Sequence, residues 1–147
     1  MAAIRQADVT WNGDLPTGKG VVTASTSKAF SGLEVTWASR TESADGRTSP
    51  EELIAAAHAS CFSMALSAGL GRAGTPPQQL DVNATVTFDR VDGGFKVVSS
   101  ALKVRGNVPG LDQAGFQQAA EEAKDGCPIS QALKGNVELS VEATLEN

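Results

Sequence analysis

Apolar and polar residues alternate in three early stretches of the chain. Ala7-Asp8-Val9-Thr10-Trp11 and Gly20-Val21-Val22-Thr23-Ala24 read as short strands around a turn rich in Asn, Gly, Asp and Pro. Leu33-Glu34-Val35-Thr36-Trp37-Ala38 predicts a third strand, and Ser39 to Thr48 a polar loop. The pattern then changes to a mostly apolar run. Ser49 is a good N-cap, Pro50 fits the first helical position, and Glu52 sits where a capping box wants its carboxylate. The predicted helix runs to about Leu70, with Gly69 and Gly71 weakening its end. After a break at 74–79, Asp81 to Phe88 alternates strictly, Asp92-Gly93-Gly94 marks a tight hairpin turn, and Phe95 to Val104 is the return strand. Gly106 to Asp112 reads as a loop, and Asp112 as the cap of a helix reaching about Lys124. Asn136 to Leu145 alternates again, with Val137, Leu139, Val141, Ala143 and Leu145 on one face. This order of strands, long helix, hairpin, helix and strand predicts an α+β fold with a largely antiparallel sheet.

Composition narrows the picture. A chain of 147 residues fits one domain, 1–147, without repeats or linkers, and is long enough for a real core. Net charge is −5, from 12 basic and 17 acidic residues, and the basic residues are scattered, which argues against a nucleic-acid footprint. The first residues have no long apolar stretch and do not read as a signal peptide. Leu53 to Leu70 is the most membrane-like segment, but it holds His58, Ser60, Ser63 and Ser67, so a buried core helix is expected and not a membrane span. The expected compartment is the cytoplasm, where reactive thiols are commoner than lasting structural disulfides. Two distant cysteines and one histidine supply too few ligands for a zinc site, and no cofactor motif is present.

The candidate chemistry lies in those two cysteines. Cys61 is on the predicted long helix, and Cys127 stands before Pro128, a residue that can open a helix. A thiolate attacks peroxides and disulfides, and burial alone opposes its formation, so a reactive Cys61 needs a positive partner. Arg40 and Arg47 precede the helix, and Glu51 in its first turn is a plausible holder for either. Glu51 and Cys61 are roughly 80° apart around a helix axis and roughly 15 Å along it, so an arginine has to reach between them or come from another chain. At an N-cap, Cys127 would meet free N–H groups and the helix dipole, which favour a thiolate. The plainer reading makes both cysteines core or cap residues, since free cysteine is among the most buried residue types. His58, three residues before Cys61, is a candidate base, though a packed histidine explains it as well. Phe62, Met64 and Leu66 fit either an apolar substrate pocket or plain core.

At these residues the chain resembles the OsmC/Ohr family, the osmotically inducible protein C and organic hydroperoxide resistance proteins. Pro50-Glu51-Glu52-Leu53-Ile54-Ala55-Ala56-Ala57-His58-Ala59-Ser60-Cys61-Phe62-Ser63-Met64-Ala65-Leu66 looks like its signature helix. Gly126-Cys127-Pro128-Ile129-Ser130 is similar to its second motif. Val9 to Asp14 and Val108-Pro109-Gly110 resemble the OsmC branch. The resemblance implies an intertwined α+β homodimer with a long central cysteine-bearing helix and two sites at the subunit interface. It implies a thiol-dependent peroxidase that reduces organic hydroperoxides, with hydrogen peroxide as a further candidate. By that resemblance Cys61 is the peroxidatic cysteine, Cys127 the resolving one, and Glu51 the residue that steadies a catalytic arginine. Arg40 is the match for that arginine and Arg47 the runner-up. The implied cycle runs through a Cys61 sulfenic acid and a Cys61–Cys127 disulfide, which a dithiol, such as a dihydrolipoyl group on a lipoylated protein, reduces. Two other classes stay open: a binding or stress-structural dimer with inert cysteines, and a thiol redox sensor.

Overall fold

The computed structural model describes residues 1–147. The chain forms two compact units, Met1–Leu53 and Ile54–Asn147.

The first unit holds three antiparallel strands, β1 (Ala7–Asn12), β2 (Lys19–Ala24) and β3 (Leu33–Val35), in that spatial order. Gly20 stands opposite both Trp11 and Val35, and a Cβ there would come within 2.9 Å of each side chain, so the middle strand needs glycine at this point. Val22 and Ala24 of β2 are buried, whereas β1 is exposed along its whole length. The expected third strand ends early. Thr36 and Ser39 form a reciprocal capping box, which turns the chain into a short helix, α1 (Trp37–Thr41). Arg40 therefore sits on a helix and not in a loop. The predicted N-cap of the long helix is present: Ser49 Oγ accepts from the Glu52 N–H at 3.1 Å. The predicted box is not, because the Glu52 carboxylate accepts from Thr48 Oγ at 2.7 Å.

The long helix, α2 (Pro50–Arg72), begins in the first unit and supplies the second with a stripe of buried side chains at His58, Phe62, Leu66 and Leu70. Its four-residue spacing is that of one helix face. By length and composition alone α2 could cross a membrane, yet this stripe is built into a protein core. The hairpin follows, β4 (Gln79–Val91) and β5 (Gly94–Asn107), closed by a two-residue Asp92–Gly93 turn. Then come α3 (Gln113–Gly126), α4 (Pro128–Leu133) and β6 (Glu138–Leu145). Asp112 caps α3 as expected, its carboxylate accepting from the Gly115 N–H at 2.8 Å.

The strand β5 runs on through Gly106, where a loop was expected. Phe116 of α3 packs there, and a Cβ on Gly106 would lie 2.4 Å from its ring. Glycine at this site admits the ring and keeps the strand. Phe62, Leu66, Leu102, Val104, Phe116 and Ala143 form the centre of the core. Full burial of each larger side chain stabilises the fold by about 1.5–3 kcal/mol.

Sheet order in the second unit is β4-β5-β6, with β6 parallel to β5. The helices α3 and α4 make the crossover that parallel pairing needs. The outer edge of β6 is occupied by two side-chain amides. Gln113 donates to the Ala143 carbonyl at 2.8 Å and accepts from the Leu145 N–H at 2.8 Å. Gln117 donates to the Val141 carbonyl at 3.3 Å and accepts from the Ala143 N–H at 2.9 Å. The spacing works because four helical residues rise roughly 6 Å and two strand residues roughly 6.6 Å.

Candidate active site

Cys127 occupies the joint between two helices. Its N–H closes α3 on the Ala123 carbonyl at 2.9 Å, and its carbonyl accepts from the Gln131 N–H at 3.0 Å to open α4. Pro128 at the first position of α4 makes this abrupt restart possible. The expected N-cap placement is therefore present. The side chain is fully buried and caps no N–H group.

Cys61 lies on α2, partly exposed, and both cysteines are free thiols. Its sulfur lies against the start of α4, close enough to the Cys127 thiol and the Ile129 N–H for both to act on its ionisation. The helix start was expected to serve Cys127, yet the N–H group it offers goes to Cys61. Burial pushes the Cys61 thiol above its ordinary pKa, the bond to Cys127 adds to the rise, and the Ile129 N–H opposes it.

The two arginine candidates are sorted by geometry. Arg40 forms a fork on Glu51, with Nε 3.0 and 3.2 Å from the two carboxylate oxygens and Nη2 2.8 Å from one of them. Glu51 is buried and the arginine only partly so. A paired fork of this kind fixes the guanidinium plane. Arg47 instead lies 3.6 Å from Glu34 and 3.4 Å from Asp45. Glu51 thus holds Arg40.

His58 is buried completely. Its Nδ1 is 2.6 Å from Ser100 Oγ on β5, and its Nε2 is 2.7 Å from Ser130 Oγ on α4. Both ring nitrogens are engaged by serines, which leaves no role as a base toward Cys61. Neither serine was expected from the sequence, although Ser130 was in plain view three residues after Cys127. Burial lowers the His58 pKa below its ordinary value. The sign of the effect on stability follows. Above about pH 6.5 the histidine is neutral folded or unfolded and contributes nothing to pH dependence. Below that, the unfolded chain takes up a proton that the folded chain resists, so stability falls as pH falls, until the depressed folded pKa is reached. Urea unfolding between pH 7 and 5 should show this loss, with a histidine slope of at most about 1.4 kcal/mol per pH unit. As His58 is the chain's one histidine, His58→Asn should flatten the slope, and an unchanged slope would refute the assignment.

Phe62 and Leu66 are core residues, and Met64 is exposed, so these three do not line a common pocket. No cluster of three His, Cys, Asp or Glu side chains is arranged to hold a metal ion.

Comparison with known proteins gives the family. Residues 43–142 match the family model described as OsmC-like protein. The chain is 43% identical over 139 residues to peroxiredoxin OsmC of Escherichia coli (strain K12), covering 95% of the chain and 96% of that protein. It is 33% identical over 95 residues to an organic hydroperoxide resistance protein of Xanthomonas axonopodis pv. citri, covering 64% of the chain and 65% of that protein. Among solved structures, OhrB of Bacillus subtilis superposes with a TM-score of 0.75 at 26% identity, covering 95% of this chain and 98% of that one. Sequence and fold agree, and the chain belongs to the OsmC/Ohr family.

Proposed function

We propose that the protein is a thiol-dependent peroxidase that reduces organic hydroperoxides with electrons from a dithiol. The observation that carries this reading is the meeting of two reduced thiols, Cys61 and Cys127, on a chain of this family. The relatives named peroxiredoxin and organic hydroperoxide resistance protein support the substrate class.

The chemistry proceeds in three balanced steps. The Cys61 thiolate attacks the distal peroxide oxygen, the O–O bond breaks, and the alkoxide leaves with a proton as alcohol. Cys61 is now a sulfenic acid. The Cys127 thiol attacks its sulfur, an S–S bond forms, and water leaves. An external dithiol then exchanges with the disulfide and returns both cysteines to thiols. A dihydrolipoyl group on a lipoylated protein has the right chemistry for that donor.

The first step needs a thiolate, and burial opposes one at Cys61. We assign the offsetting charge to Arg40, oriented by Glu51, with each site completed at the interface of a homodimer. The exposed surface supports such a dimer. Met64 on α2 is 72% exposed, β1 is exposed throughout, and Val9 and Trp11 on it are uncovered. The two units of the chain are read as parts of one OsmC-like domain, and redox-active thiols suit a reducing cytoplasm.

The test is turnover of cumene hydroperoxide with dithiothreitol as reductant. The wild type should cycle; absence of hydroperoxide loss would sink the reading. Without reductant, the Cys127→Ser variant should still consume about one equivalent of peroxide per chain, since the first attack needs only Cys61. Its product should be a Cys61 sulfenic acid trapped by dimedone or over-oxidised. The wild type should instead yield a linked Cys61–Cys127 peptide and lose two hydrogens by mass spectrometry. Only interchain disulfides would refute the pairing. The rise in the Cys61 pKa favours one competing reading, a structural dimer with inert thiols, and the same assay decides between them.

A further inference from the structure

The buried polar residues of the second unit include a bond that the peroxidase cycle does not use. Cys61 and His58 are one turn apart on the same face of α2, and Cys127 and Ser130 are one turn apart at the start of α4. The two helices meet through both pairs. Cys61 meets Cys127 and the Ile129 N–H, while His58 Nε2 meets Ser130 Oγ at 2.7 Å. The other ring nitrogen is tied to Ser100 on β5, at 2.6 Å. The imidazole is thus fixed from the sheet side and holds the helix side.

We propose that His58 is a positioning residue for the resolving step, and that its bond to Ser130 holds the first turn of α4 so that the Cys127 sulfur faces Cys61. The inference rests on the reading of these two cysteines as a redox pair. Three features make the bond suited to this work. It runs beside the thiol pair between the same two helices, so it resists the sliding and rotation that would part the sulfurs. It involves neither sulfur, so it survives both the dithiol and the disulfide state. Ser100, His58 and Ser130 are all at most 1% exposed, so water does not compete for the bond. Cys127 provides no side-chain cap at the start of α4, so the Ser130 hydroxyl is a side-chain tie of its first turn to α2. A neutral imidazole fits both partners: one nitrogen donates to a serine oxygen, and the other accepts from a serine hydroxyl.

The test measures the thiol–disulfide equilibrium of Cys61 and Cys127 against reduced and oxidised dithiothreitol, with no peroxide present. Ser130→Ala should lower the equilibrium constant for the intramolecular disulfide, by up to about tenfold, because the freed dithiol relaxes away from the aligned geometry while the disulfide cannot; the full worth of one well-made buried hydrogen bond sets that ceiling. Ser130→Thr keeps a hydroxyl and should restore most of it. Ser100→Ala removes an equally buried bond on the sheet side but leaves the His58–Ser130 bond between the helices, so it should lower the constant by less than Ser130→Ala does. After peroxide addition without reductant, Ser130→Ala should leave more sulfenic acid for dimedone to trap. An unaltered equilibrium in Ser130→Ala, or an equal loss in Ser100→Ala, would overturn the inference. The two readings separate cleanly. A wild type that forms the disulfide with oxidised dithiothreitol but ignores hydroperoxides would defeat the peroxidase reading and leave this one standing.

Discussion

Replacing Cys61 with serine is expected to reduce hydroperoxide turnover to the uncatalysed background, a loss of at least about a thousandfold, because the nucleophile is gone. A serine hydroxyl does not ionise near neutral pH and is a poor nucleophile toward an O–O bond. The same substitution should leave the fold in place. Cys61 is only partly buried, serine is nearly isosteric, and its oxygen can still accept the Ile129 N–H. The expected change in unfolding free energy is within about 1 kcal/mol. Turnover with cumene hydroperoxide, beside urea unfolding of the same preparation, checks both halves. Activity that survives in Cys61→Ser would remove this residue from the mechanism.

The second large effect is expected at Arg40. If its guanidinium stabilises the Cys61 thiolate, Arg40→Ala should lower the rate of thiol oxidation at pH 7 by about 10- to 100-fold, since loss of a close charge shifts an ionisation by one unit or more. Raising the pH should recover part of the rate as more thiolate forms. Recovery should remain partial, because an arginine also stabilises negative charge on the departing oxygen. The fold should weaken as well. Glu51 is buried and would lose its fork, at a cost of about 1–3 kcal/mol. Glu51→Ala should give a milder kinetic defect, and Arg40→Lys should keep the charge but lose the paired geometry. Arg47, whose partners are Glu34 and Asp45, should tolerate alanine with little change in rate. The opposite pattern, with Arg47→Ala inactive and Arg40→Ala normal, would move the catalytic role to Arg47. A pH–rate profile of thiol loss in the three variants is the measurement.

Much of this was legible in the sequence, and the exceptions have identifiable causes. The hairpin was readable because its alternation is strict and Asp92-Gly93 permits a two-residue turn. The caps at Ser49 and Asp112 announced two helices. The short helix at Trp37–Thr41 was hidden, since Thr36 and Ser39 build their capping box inside a stretch that alternates like a strand. The direction of β6 was not legible. Alternation predicts which residues face the core, and Val137 and Ala143 are buried as expected, but it says nothing about which neighbour a strand joins or in which sense. The site divides in the same way. Each cysteine motif was local and readable. That His58 faces Ser130, and that the Ile129 N–H turns to Cys61, depends on how α2 and α4 meet, and spacing within either helix does not encode that meeting.

The glutamines along β6 bear on how this chain avoids self-association during folding. No hairpin turn sets the register of β6, and a one-residue slip would swing Val141, Ala143 and Leu145 out to solvent. An uncovered outer edge would also offer its N–H and carbonyl groups to a strand from another molecule. Gln113 and Gln117 answer both hazards, because their amides bond four successive outward groups of β6 only when it lies in register. They act as a ruler and a cover at once. The glutamines ride on α3, so the same helix that carries the chain toward Cys127 also closes the edge of the last strand to pairing with another chain.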